Sequence, residues 1–379
     1  MPRVLVLCEY SSLNGGERSL LAVVKGVRSA GFDLLVATHP QGPLADELSN
    51  RNIAVWPLET TSADGTRQSQ AVLRKHLRHA IIDTAPDLVH ANSLSMSRLA
   101  GPVVAELGLP SVGHLRDMIK ISAAAMADLN CHTRLLAVSQ ATRDWYVAAG
   151  MAGAKTHVLY NGVDLDRFRP RAATGYLHEQ LGLTRDVPLV ASIGQVGVRK
   201  GLDVFLEAAR LVVKQGAAAH FVIVGQRHSQ KDEARKYEQD LRAAAATGSL
   251  SGRVHFLGRR NDIHRLLNEV TILVHAARQE PLGRVLLEAA ASGTTIVASR
   301  VGGTAEIFPP GSAAAMLVAP EKPVELAGAI LAALENPTLR GSLSSAARRR
   351  AEIAFDARVA ALDLAKHYEH ALNAEPASD

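Results

Sequence analysis

Two glutamates eight positions apart, Glu280 and Glu288, carry the densest chemical signal in this 379-residue chain. Pro281 follows the first directly and Gly283 stands between them, in the run EPLGRVLLEAAASG. Proline is favoured at a helix start because its missing N–H would be unpaired there, so the spacing predicts a helix opening at Pro281. One carboxylate then sits at the helix mouth and the second about two turns inside, both able to accept hydrogen bonds from hydroxyls. Gly283 lets a ligand approach the first backbone N–H groups, which favour anionic or hydroxyl oxygens. The spacing alone arises often by chance, and a glutamate at a helix mouth also suits the helix dipole. Glu288, however, stands among apolar residues, where an unpaired carboxylate is costly, and that favours a ligand role.

The run IGQVGVRKG, 193–201, follows a strand and precedes a helix. A glycine-bearing loop there, with Arg199 and Lys200, reads either as a cradle for a diphosphate or as a βα turn with surface cations. In NGVDLDRF, 161–168, Asp164 and Asp166 imitate a D-x-D pair that holds a divalent metal, but Asn161-Gly162 is a turn signal and the aspartates are assigned to an interdomain hinge. No metal site is expected. His90 and His114 each follow a strand, in PDLVHANS and SVGHLRDM. Residues at strand carboxyl ends face the crevice of an open α/β sheet; a lone histidine is more often structural, and Arg116 and Asp117 beside His114 make it the stronger candidate. Arg67, Arg74, Lys75, His76, Arg78 and His79 fall on one helix between strands. That pattern fits a solvated charged face first, and second a dock for anionic lipid or an anionic acceptor.

The elements that must position these residues alternate along the chain. Val4–Cys8 is an apolar, β-branched run of the kind buried on both faces of a parallel sheet, and Glu17–Ala30 has helical spacing at Leu20, Leu21, Val24 and Val27. Strands are predicted at 34–38, 53–57 and 88–90, then, past a polar stretch, at 188–193, 221–224, 253–257, 271–275 and 295–298. Helices are predicted at 202–214, 232–246 and 282–292, with a long helical tail over 339–374. Alternating strands and helices specify doubly wound α/β sheets. The domains are accordingly 1–168, a linker at 169–186 and 187–354, with the tail 355–379 returning to the first.

The bulk numbers agree. The hydrophobic share is 47%, charged residues make up 21% and aromatics 4%, which favours helices packed on sheets over an all-β sandwich. A net charge of +5 suits anionic ligands but lacks the dense basic stripes that nucleic acid would need. Cys8 and Cys131 are expected to be reduced thiols. No apolar run approaches a membrane span and the start lacks a cleavage site, so the expected place is the cytoplasm or its membrane face.

Taken in order and spacing, Asn14-Gly15-Gly16-Glu17, His114, NGVDLDRF, GQVGVRKG, EPLGRVLLEAAASG and VGGTAEIF resemble the large E-x7-E family of retaining GT-B glycosyltransferases (group 1, family 4 type). The resemblance covers most of the chain and is most specific over 187–310. It implies a GT-B fold, two Rossmann-like doubly wound domains facing a central cleft. It implies transfer of a hexose or related sugar from a nucleoside-diphosphate sugar to a glycan, lipid-linked or small-molecule acceptor, with retained anomeric configuration and no obligatory metal or cofactor. By the same resemblance Lys200 neutralises the donor diphosphate with Arg199 beside it. Glu280 lies near the donor sugar, Glu288 holds the ribose, Gly15 and Gly16 approach the phosphate or sugar, His114 stands near the sugar and the transferring phosphate, and Glu306 follows paired glycines. The departure is Gln195, where many members carry Arg. It suggests one rival, a non-catalytic nucleotide-sugar-binding subunit; the other is a sugar-nucleotide 2-epimerase, which would share the donor pocket but need no acceptor.

Overall fold

A computed structural model describes residues 1–62 and 66–374. The chain forms two compact units, one of Met1–Gly162 with the chain from Ala357 onward, the other of Val163–Asp356. The last residues of the expected 355–379 tail, 375–379, lie outside the described residues.

In the first unit the strands are β1 (Arg3–Leu7), β2 (Asp33–Thr38), β3 (Ala54–Pro57), β4 (Leu88–Ala91), β5 (Ser111–Leu115), β6 (Arg134–Ala137) and β7 (Thr156–Val158). They pair in parallel in the order β3-β2-β1-β4-β5-β6-β7. Alternate residues of β1 serve two different cores, as a strand covered on both faces requires. Val4 and Val6 pack with Leu20, Val24 and Val27 of helix Gly15–Ser29 and with Leu364 and Tyr368 of helix Ala357–Leu372. Leu5 and Leu7 pack on the other side with Leu73, Leu77 and Leu99. The C-terminal helix lies close against the first one: a Cβ at Gly26 would stand 2.5 Å from Cβ of Ala361.

In the second unit β8 (Leu189–Ile193), β9 (His220–Val224), β10 (Val254–Gly258), β11 (Ile272–His275), β12 (Thr295–Ser299) and β13 (Met316–Val318) follow the order β10-β9-β8-β11-β12-β13, again all parallel. Val190, Phe221, Ile272 and Val274 pack with Phe205, Ala208 and Val212 of helix Leu202–Lys214 and with Ile330 of helix Pro323–Glu335. The stretch 169–186, expected as a linker, carries the short helix Tyr176–Leu181, and the amides of Thr174 and Gly175 donate to the buried Glu269 carboxylate at 2.6 and 2.9 Å. The long tail is two helices, Pro337–Ala354 and Ala357–Leu372, separated at Phe355-Asp356 where the chain passes between units.

Candidate active site

An open parallel sheet binds ligands beyond the carboxyl ends of its strands, where the strand order reverses. In the second unit this point falls between β8 and β11. From β8 the chain runs through Gly194 and Gly197 into a 3-10 turn, Val198–Lys200, before helix Leu202–Lys214. β11 ends on His275, and the chain continues through Glu280 to helix Arg284–Ser292. The two routes meet: Lys200 Nζ donates to Glu280 Oε2 at 2.5 Å, and His275 Nε2 lies 2.8 Å from the same oxygen. Glu280 and His275 are buried. Burial pushes the Glu280 carboxyl up, but the Lys200 charge and the His275 hydrogen bond outweigh it and hold it well below the usual carboxylate range. Burial lowers His275 as well, so the neutral imidazole donates its Nε2–H to the carboxylate. Both bonds fall on Oε2; Oε1 is the oxygen available to a ligand hydroxyl.

Sequence reasoning missed His275, although a histidine closing the apolar run ILVH five residues before Glu280 was there to be read. It also missed Arg278. The Arg278 amide donates to Arg199 O at 2.9 Å, its guanidinium donates to Val198 O at 2.8 Å, and it pairs with Asp203 at 2.6 Å. Burial raises the Asp203 carboxyl, but hydrogen bonds from Arg278 and Tyr237 bring it down to about 2. Arg278 thereby fastens the 3-10 turn that carries Arg199 and Lys200 to the exit of β11.

Glycine makes the close approaches here. At Gly201, φ +61°, a Cβ would stand 2.0 Å from Ala276 O; at Gly302, φ +47°, one would stand 2.1 Å from Glu280 O. The Gly303 amide donates to that same carbonyl at 3.0 Å. The paired glycines of VGGTAEIF therefore cradle the backbone of Glu280. Glu306 lies in the following short helix Thr304–Ile307, its carbonyl accepting from Arg350 at 3.1 Å.

Two expectations are corrected. The helix after Glu280 opens at Arg284, not at Pro281, with Gly283 at φ +106° as its cap; Glu288 is thus one turn inside. Nor is Glu288 an unpaired carboxylate among apolar residues, because Arg284 one turn earlier donates to its Oε1 at 2.7 Å. Gln195 is exposed. Asp164 Oδ1 accepts the amides of Asp166 and Arg167 at 3.0 and 2.9 Å, tying the D-x-D segment to its own turn.

In the first unit the order reverses between β1 and β4. Gly15 and Gly16 open helix Gly15–Ser29, and Asn14 and Glu17 form its capping box. A Cβ at Gly16 would stand 3.3 Å from Arg116 Cδ and 3.6 Å from Asn92 O, so only glycine passes there without a shift. His90 and His114 lie within β4 and β5, not after them, and both are buried. His90 Nε2 is 3.3 Å from His114 Nδ1, and Arg116 reaches the latter at 3.1 Å. Burial, with the Arg116 charge nearby, brings His90 down to about 3 and His114 well below its ordinary value; both are neutral. The basic stretch is less free than its sequence suggests. Arg67 lies outside helix Gln70–Thr84 and pairs with Glu9, Arg74 pairs with Asp128 at 2.8 Å, and Arg78 pairs with Glu106. Among the described residues no helix is long and apolar enough to cross a membrane.

Two Rossmann-like units of this kind make the GT-B fold. The chain is similar over 97% of its length to the crystal structure of Anabaena Alr3699/HepE in complex with UDP and glucose, covering all of that chain, at 24% identity and a TM-score of 0.85. It is similar to the lipopolysaccharide-biosynthesis glycosyltransferase WaaG at 18% identity and a TM-score of 0.74, over 96% of this chain and 99% of that one. Residues 176–350 match the family Glycosyl transferases group 1, and residues 13–167 match Glycosyltransferase Family 4. The chain belongs to these glycosyltransferases. It is 28% identical, over 97% of its length and 96% of theirs, to a phosphatidyl-myo-inositol mannosyltransferase of Mycobacterium tuberculosis. It is 26% identical, over 77% of each, to the UDP-Gal:alpha-D-GlcNAc-diphosphoundecaprenol alpha-1,3-galactosyltransferase of Escherichia coli.

Proposed function

We propose that this glycosyltransferase moves a sugar from a nucleoside-diphosphate sugar to a glycan or lipid-linked acceptor, with retention of the anomeric configuration and without a metal ion. The observation that carries the reading is the convergence of Lys200, His275 and Glu280 at the switch point of the second sheet. Breaking an anomeric C–O bond puts charge on the departing diphosphate, and pre-placed cations and N–H donors stabilise that charge. Lys200 is such a cation; until the diphosphate arrives, Glu280 keeps it neutralised and aimed. Arg199 flanks it on a turn that Arg278 holds. Glu280 Oε1 then takes hydroxyls of the donor sugar, and Glu288, steadied by Arg284 and lying beyond the cap Gly283, takes the ribose. Within the first unit Arg116 lies against both Gly16 and His114, and Gly15, Gly16 and His114 are the groups there that suit a sugar or phosphate oxygen; in the second, Glu306 follows the glycines that cradle Glu280.

The acceptor class is supported by the relatives, whose names specify a phosphatidylinositol and an undecaprenol-linked sugar. Independence from metal is supported by the use of Asp164 within its own turn. Contact with an anionic membrane face would rest on Lys75 and His79, which are exposed, since the arginines of that stretch are committed to carboxylates.

The test is incubation with labelled UDP-, GDP- and ADP-sugars and a lipid extract, with the anomer of any product read by proton NMR. Transfer with retention is expected. An isomerised donor would mean an epimerase, binding without turnover a binding subunit, and an inverted product a different mechanism; each overturns the proposal.

A further inference from the structure

We propose that Arg116, His90 and Tyr368 act together as positioning residues that hold His114 in one form, neutral with its proton on Nε2, so that a group bound beside it meets a hydrogen-bond donor rather than a base. The nature of that group rests on the function proposed above; the protonation form does not.

Which atoms can donate decides where the ring protons sit. A guanidinium has donors only. Arg116 Nη2 spends one N–H on Asn92 Oδ1 at 2.8 Å and directs another at His114 Nδ1 at 3.1 Å. His114 Nδ1 must therefore present its lone pair, and the neutral ring carries its proton on Nε2. His90 Nε2, 3.3 Å from the same Nδ1, must also be a donor, because two lone pairs would otherwise face each other. His90 Nδ1 is then an acceptor, and Tyr368 Oη at 2.7 Å donates to it. Tyr368, from helix Ala357–Leu372, thus terminates a line whose protons all point towards His114. Arg116 is itself anchored, donating to Asn92 O at 2.9 Å and to Asn161 Oδ1 at 2.7 Å.

The far end of the line is what makes it more than core packing. His114 Nε2 is buried and has no hydrogen-bond partner among the described residues. A buried N–H without an acceptor is costly, and a ligand oxygen relieves that cost. The same guanidinium passes against Gly16 at the glycine-led start of helix Gly15–Ser29. The lock on His114 is therefore tied to the backbone amides that suit an anionic oxygen.

The experiment reads proton positions directly, with no turnover, so its failure is distinct from failure of the proposed transferase activity. The full chain is labelled with 15N-histidine and long-range proton–nitrogen spectra are recorded at neutral pH without substrate. His114 and His90 are each expected as a single form, Nε2 protonated and Nδ1 bare. A proton on His114 Nδ1 in the unmodified protein overturns the proposal. Arg116→Met, similar in length but without a donor, should give His114 a mixture of both forms, and Arg116→Lys should restore the single one. An unmixed His114 in Arg116→Met overturns the role of Arg116. Tyr368→Phe should move the His90 Nδ1 resonance towards that of a nitrogen without a hydrogen bond; an unmoved resonance overturns the role of Tyr368. Because the first measurement needs no variant, the proposal remains testable even if a substitution unfolds the chain.

Discussion

Replacing Lys200 with Met keeps the length of the side chain and removes the charge that keeps Glu280 ionised. Glu280 would be left, 6% exposed, with His275 as its remaining donor. Breaking a buried ion pair by removing one partner costs about 3–5 kcal/mol. Protonation sets a ceiling on that cost. Bringing a carboxyl with an ordinary value near 4.3 to its neutral form at pH 7 costs about 3.7 kcal/mol, at about 1.36 kcal/mol per unit. A loss of about 3 kcal/mol is therefore expected, and at about 2–4 °C per kcal/mol the second unit should melt roughly 6–12 °C lower. The sign with pH also follows. The folded-state value of Glu280 is depressed by its partners, so the pair's stabilisation is fully present above the unfolded value near 4.3 and is lost as pH falls through the folded one. In Lys200→Met burial instead favours the neutral carboxyl, and protonating it costs less as pH falls, so the variant's deficit should shrink as pH is lowered from 7 towards about 4.3. Thermal denaturation followed by circular dichroism, on the parent, Lys200→Met, Glu280→Gln and the double variant, measures the coupling. The double variant should regain most of what Lys200→Met loses, because no charge is left stranded. A Lys200→Met protein melting within about 2 °C of the parent, or a double variant whose loss is the sum of the singles, would refute the reasoning.

Three further outcomes are expected. Glu288→Gln should raise the donor KM more than it lowers kcat, whereas Glu280→Gln should lower kcat and kcat/KM together by roughly ten-fold or more, the worth of a charge-assisted hydrogen bond; steady-state kinetics with UDP or GDP titration separates the two, and the reverse assignment would overturn the orientation given to the donor. Gly302→Ala should destabilise the second unit by at least about 1–3 kcal/mol, since its φ of +47° and a Cβ 2.1 Å from Glu280 O both resist a side chain; denaturant unfolding that matches the parent would contradict that geometry. Transfer should survive EDTA, and Asp164→Ala should cost about 1 kcal/mol of stability through its two amide bonds, with no change in metal response; loss of activity in EDTA with recovery in magnesium or manganese would reassign Asp164 and Asp166.

The sequence by itself determined the class of architecture and the chemical types at the site. Buried parallel strands must be apolar runs bounded by turn residues, so β1, β2, β8, β11 and β12 were legible within a residue or two, as was helix Leu202–Lys214. Arg134–Ala137 and Thr156–Val158 were not: the first, RLLA, is made of helix-favouring residues without a β-branched one, and the second, THV, lacks the continuous apolar run that marks β11. Lys200, Glu280 and Glu288 stood out because loop glycines and a helix start flank them. What the local pattern could not decide was who meets whom. Lys200, His275 and Glu280 converge because β8 and β11 are neighbours in the sheet although strands 9 and 10 intervene in the chain. The line from Tyr368 through His90 to His114 exists because a helix from the far end of the sequence packs on the first sheet. Likewise the arginines of the 67–78 stretch look like a charged face until Glu9, Asp128 and Glu106 arrive from other elements. A side chain's type and the period around it are local properties, but its partner, and with it its charge and its proton, is set by strand order and helix packing over long separations, which only the folded chain supplies.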